Sequence, residues 1–184
     1  KPNATINNGS EADFVSLMAV EGFSGTDNIN LTTQKLTIDS GTISSITNAN
    51  NFSASTTGTV TGEIVNSTPV SDLITLRVGA TNAAFTITIN SADATSTTAA
   101  DLNTINAATS VAVNAAAVTT ISSSTLSDVG TLLTSAVATT PREFTSDSFD
   151  NLVSLIVSDN SLDVTDLNSA ITNAKSVVSA PTVP

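Results

Sequence analysis

Short apolar or alternating runs open at Val60, Phe85, Val111, Val137 and Leu162, at intervals of 25, 26, 26 and 25 residues. An interval this regular constrains the fold more than any single motif. A strand with a returning segment cannot hide its apolar face alone, so copies at a fixed period bury it by stacking on one another. The rhythm predicts a strand-helix repeat solenoid of the α/β class with a parallel sheet. The alternative is a right-handed parallel β-helix.

The strand runs read Lys35-Leu36-Thr37-Ile38, Thr59-Val60-Thr61-Gly62-Glu63-Ile64-Val65 and Phe85-Thr86-Ile87-Thr88-Ile89. The segments between them are long enough for crossovers, which parallel pairing requires. Those crossovers carry helix signals. Thr98 and Asp101, Thr125 and Asp128, and Asp163 and Asp166 each place a capping oxygen three residues before a carboxylate that can reach back to free N–H groups. Stripes at helical spacing follow: Leu102, Ile105 and Ala108; Leu126, Val129, Leu132 and Leu133; Leu167, Ala170, Ile171 and Ala174. Phe149, Leu152, Val153 and Ile156 form another, after Asp147-Ser148-Phe149-Asp150. Ser110–Ala115 reads as a strand, and Val118-Thr119-Thr120-Ile121 as a second run close behind it, which is what keeps the β-helix alternative open.

Four regions result. Residues 1–31 form a lead-in with a cap helix, started by Ser10-Glu11-Ala12-Asp13 and carried by Phe14, Leu17 and Met18. Residues 32–140 hold the strand-helix repeats, residues 141–175 the C-terminal repeats or cap, and residues 176–184 a linker. The start at Lys1, without an initiator Met or an apolar leader, reads as a processed form or an excised fragment.

Charge and residue inventory exclude several classes of function. Sixteen acidic residues stand against five basic ones, Lys1, Lys35, Arg77, Arg142 and Lys175, for a net charge of -11, so no basic face exists to neutralise phosphates. Nucleic acid is not an expected partner. Membrane insertion is not expected either, because no apolar run approaches the roughly 18 residues of a spanning helix. With 40% hydrophobic residues the chain is too apolar for a disordered polymer. Cysteine and histidine are absent, which removes disulfides, thiolate or imidazole metal sites, and Ser-His-Asp or Cys-His relays. A Ser-Lys dyad would have to use Lys35 or Lys175, neither within a recognisable motif, and a carboxylate-pair glycosidase would lack Trp and Tyr platforms. The chain reads as no enzyme. Five N-x-Ser/Thr triplets, at Asn3, Asn8, Asn30, Asn51 and Asn66, are no more than 18 asparagines in so Ser/Thr-rich a chain produce by chance.

The stretch from about Gly41 to Ser135 carries the series Ser40-Gly41-Thr42-Ile43-Ser44-Ser45-Ile46, Thr57-Gly58-Thr59-Val60-Thr61, Phe85-Thr86-Ile87-Thr88-Ile89, Ala100-Asp101-Leu102-Asn103-Thr104-Ile105-Asn106-Ala107-Ala108-Thr109 and Val113-Asn114-Ala115-Ala116-Ala117-Val118-Thr119-Thr120-Ile121. This series resembles the Thr/Ala/Val-rich repeats of giant cell-surface or secreted proteins of marine cyanobacteria and of structural proteins of their phages. The resemblance implies a structural or adhesive role at a cell or virion surface, in a homo-oligomer or beside neighbouring repeats of the same protein. It supplies no catalytic residues. After Ala136 the pattern departs, with Pro141-Arg142-Glu143-Phe144.

Gly22-Phe23-Ser24-Gly25-Thr26-Asp27-Asn28-Ile29-Asn30 resembles the calcium nonapeptide of repeat-in-toxin proteins, with Phe23 in place of the second glycine. That resemblance implies Ca2+ ligation at Asp27 and Asn28 and an adhesin that binds a surface glycan or other ligand in a calcium-dependent way. The family's site needs stacked copies, and only one copy is present. The plainer reading is a Gly-rich turn in which Asp27 caps local N–H groups. The acids are twelve Asp to four Glu, and Asp72, Asp101, Asp128, Asp150 and Asp166 fall at or near expected helix starts, where a short carboxylate contributes about 0.5–2 kcal/mol. Asp159-Asn160-Ser161-Leu162-Asp163 lacks the alternation and central Gly of an EF-hand loop.

Overall fold

The computed structural model describes residues 6, 8–19, 33–79, 81–141 and 143–159. Within them, short helices alternate with short strands: α1 (Glu11–Ala19), β1 (Leu36–Thr37), α2 (Ile46–Ser55), β2 (Val60–Glu63), α3 (Val70–Leu73), β3 (Ala83–Thr86), a 3-10 turn (Ser91–Asp93), α4 (Ala99–Asn106), β4 (Thr120–Ser124), α5 (Leu126–Val137) and β5 (Ser154–Val157). One sheet has the order β1-β2-β3 and a second pairs β4 with β5. Every strand pair and every isolated bridge among the described residues is parallel. The fold is therefore mixed helix and strand with small parallel sheets, each helix serving as the crossover that parallel neighbours demand.

Register follows burial. Leu36 pairs with Val60 and Val60 with Ala83, which puts three buried side chains side by side, while Gly62 meets Phe85. Single bridges extend the pairing: Gly9 to Ile38, Ile43 to Ile64, Thr88 to Asn114 and Val113 to Phe144. The buried side chains join into one hydrophobic cluster running from Phe14 to Phe149. Phe14 and Phe52 meet edge-on at 5.9 Å between ring centroids, and Phe144 and Phe149 meet at 5.2 Å.

Local chemistry explains most helix starts. Thr98 and Asp101 form a reciprocal capping box, each side chain accepting from the other's backbone N–H, and Ser10 with Asp13 does the same at α1. Thr125 accepts from the Asp128 N–H, and the α5 stripe Leu126, Val129, Leu132 and Leu133 is buried as its spacing predicts. α2 has no such stripe in its sequence. It buries Ala49, Phe52 and Ser53 under a Ser45 cap.

Three expectations are corrected. Val137 opens no strand: it is the last residue of α5, because the apolar stripe holds that helix for 12 residues. Phe149, Leu152, Val153 and Ile156 form no helix: Phe149 takes a positive φ of 69°, a turn conformation that ends any helical run, and Ser154–Val157 is extended as β5. Val111 lies in a bend, and the bridging residues of that run are Val113 and Asn114. The run near Val118 does pair, as β4. Leu162, the cap at Asp163 and Asp166, the stripe from Leu167 and the segment 176–184 lie outside the described residues.

Candidate functional site

The polar side chains reveal what the chain's chemistry is used for. Hydroxyls donate across the sequence to carbonyls of an earlier segment: Thr61 to Leu36, Thr109 to Phe85, Thr119 to Ala94 and Ser122 to Thr97, at separations of 24 or 25 residues. Side-chain amides do the same work. Asn50 brackets the chain 25–27 residues on, donating to the Thr75 carbonyl and accepting from the Arg77 N–H. Asn82 donates to the Ser53, Thr56 and Gly58 carbonyls, and Asn103 to that of Asp128.

Helix starts are capped from a distance as well. The first N–H groups of an α-helix have no partner within it. The Val70 N–H that opens α3 donates to the Asp93 carboxylate at 3.1 Å. The Ala99 N–H that opens α4 donates to Ser124 Oγ at 2.9 Å in a buried site. The Leu126 N–H that opens α5 donates to the Asp159 carboxylate. In each case the capping group comes from a later segment, so one segment completes the hydrogen bonding of another. Much of the Ser, Thr and Asn content thereby joins segments together.

At the N-terminal end, Gly9 lies along the outer side of β1: its N–H donates to the Thr37 carbonyl at 3.1 Å, and its carbonyl accepts from the Asp39 N–H at 3.3 Å. α1 follows directly and presses Phe14 onto Phe52. Half-buried Glu11 reaches the start of α2, where its carboxylate accepts from the Ser44 N–H and Oγ at 2.8 Å each, the Ser45 N–H at 3.2 Å and Asn48 Nδ2 at 2.8 Å. Partial burial alone would raise its pKa. The bonds from Ser44, Asn48 and Ser45 outweigh that and hold the carboxyl below the ordinary glutamate value. Asp13 is lowered too, by the Ser10 hydroxyl and N–H. Toward the C-terminal side of the described residues, Val153 just before β5 is 87% exposed and Ile156 within it 48%.

Clefts open on the surface among the described residues, and two are polar. One, of about 300 Å³, lies among Ser53, Thr56, Arg77 and Asn82, where Arg77 Nη1 donates to the Ser53 carbonyl. The other, of about 520 Å³, lies among Ser45, Thr47, Ser67, Thr68 and Thr75, with Asp72 as its single carboxylate. Neither brings two carboxylates together, the minimum for acid-base hydrolysis of a glycoside. Among the described residues no group of three or more acidic side chains could hold a metal ion. Asp27 and Asn28 lie outside the described residues. Of the acids read as caps, Asp72 falls in the first turn of α3, Asp101 caps its own helix, Asp128 accepts only the hydroxyl of Thr125, which caps α5 in its place, and Asp150 falls in a turn.

Sequence reasoning assigned no role to Glu11, Asp93, Ser124 or Asp159. Their partners lie 23–37 residues away, and no local pattern announces such a pairing. Comparison with family models, curated proteins and solved structures gives no match. No helix among the described residues is long and apolar enough to cross a membrane.

Proposed function

We propose that the chain is an α/β solenoid segment and serves as a non-catalytic structural or self-assembly module of a large extracellular or virion-surface protein, such as a fibre, layer or stalk. One observation carries the reading: among the described residues the strands pair in parallel, and segments supply hydroxyls, amides or helix caps to others some 22–37 residues away. A unit of this kind leaves an unfinished hydrogen-bonding edge at its ends, and a neighbouring repeat or a second copy finishes it. The -11 net charge keeps such a surface dispersed. The extracellular or virion setting is supported by the sequence resemblance, and the absence of His and Cys supports a role without catalysis.

Small-angle scattering with sedimentation over a concentration series tests the reading. The expected particle is elongated and lengthens along one axis as concentration rises. A compact particle that stays monomeric at millimolar concentration would overturn it.

A further inference from the structure

The geometry points to α1 with its leading Gly9 being a releasable cap on the β1 end, seated while Glu11 is ionised and freed when Glu11 loses its charge. This deepens the structural reading by giving one end of the module a switch.

Four donors converge on one carboxylate: Ser44 N–H, Ser44 Oγ, Ser45 N–H and Asn48 Nδ2. All four lie 33–37 residues from Glu11 in sequence, so the carboxylate is a cross-link between two parts of the fold. An ionised carboxylate offers acceptor sites only, which suits a nest made of donors. A protonated carboxyl or an amide would turn one of its own N–H or O–H groups toward them. Among the described residues, the cap is also held by Phe14 against Phe52, by Leu17 and Met18 packed on the core, by Asn8 Nδ2 donating to Asp39 and by the two Gly9 hydrogen bonds. α2 brings no charged side chain to this junction. Among the described residues, the titratable groups around it are Asp13 on α1, bound to Ser10, and Lys35 and Asp39 flanking β1, of which Asp39 accepts from Asn8 Nδ2 at 2.6 Å. With its folded pKa below the ordinary value, Glu11 stabilises the seated cap above the usual glutamate range. That contribution is lost as pH falls through the lowered value. Release uncovers Phe52 and the Thr37 and Asp39 backbone groups that Gly9 now satisfies.

Glu11→Gln at pH 7 tests this away from the isoelectric point near 4.1, where acid alone would precipitate the wild type. Amide hydrogen exchange reads two reporters. Phe14 N–H reports the α1 helix, and Asp39 N–H, which donates to the Gly9 carbonyl, reports the seat independently of the helix. Both are expected to exchange at least about tenfold faster in the variant, corresponding to about 1.4 kcal/mol, while Val60 N–H, bonded to the Asn82 carbonyl, stays protected. Asn48→Ala, which removes one donor and leaves the charge, is expected to shift both reporters the same way by less. Wild-type protection at both reporters in Glu11→Gln would overturn the proposal, as would equal loss at Val60. Scattering on the same samples reports elongation separately, so a failed cap and a failed solenoid reading give different results.

Discussion

From β1 to β3 the chain returns to its neighbour at nearly constant intervals, Leu36 to Val60 and Val60 to Ala83. From Val113 onward the same kind of contact spans more chain, with Val113 bridging Phe144 and Thr120 pairing with Ser154. The lateral contacts are alike in kind: Ser124 caps α4 from 25 residues away, and Asp159 caps α5 from 33. What differs is the path between them. The 12 residues of α5 and the connection after it absorb the extra length. Parallel pairing specifies where a segment must return and leaves its route open, and lengthening a loop adds little entropic cost, about 0.6 kcal/mol per doubling.

If the two regions share one core, as the continuous cluster indicates, they should unfold together. Phe85 belongs to the regular region and Phe144 to the longer one, and both are 1% exposed. Phe85→Ala and Phe144→Ala are each expected to cost about 4 kcal/mol and to lower the same single transition in urea, followed by circular dichroism. Two transitions, with Phe144→Ala moving only the weaker one, would show the regions to be separate units.

Much of the regular region was legible and much of the longer one was not, for physical reasons. Val60 and Phe85 declare themselves by alternation, and the caps at Ser10, Thr98 and Thr125 by spacing that acts within one turn. α2 is hidden because three Asn and three Ser or Thr dilute its apolar face to Ala49 and Phe52. Extrapolating the period to Val137 fails because burial along α5 continues the helix through that point. The stripe from Phe149 has helical spacing, yet Leu155 and Val157 pack inward while Ile156 points out, the alternation of a strand. The end cap was legible only in half: Ser10 and Asp13 mark the start of α1, but nothing near Glu11 signals Ser44 or Asn48.

Crowding sharpens the comparison at a smaller scale. Where β2 begins in the regular region, Gly58 lies so close to its neighbour that an added Cβ would sit 2.2 Å from the Gln34 carbonyl oxygen and 2.5 Å from its carbon. That carbonyl cannot retreat freely, since Thr56 Oγ1 donates to it at 2.6 Å. Gly58→Ala is expected to cost about 3 kcal/mol, the upper end for overpacking, measured by urea unfolding. A loss below about 1 kcal/mol would mean that the two segments are free to separate there.

Gly130 is the opposite case, in the longer region. It is the fifth residue of α5, the place that Asn50 holds in α2 and Asn103 in α4, where each donates to a carbonyl 25 residues on. With glycine there, α5 cannot make that cross-link, and an added Cβ would meet nothing within 4 Å. Gly130→Ala therefore brings no clash and removes the backbone entropy that a mid-helix glycine costs on folding. It is expected to stabilise the chain by about 0.7 kcal/mol, read as a rise in the urea midpoint at unchanged slope. Loss of stability would mean that the space beside Gly130 is filled by residues beyond those described, and the contrast with Gly58 would disappear.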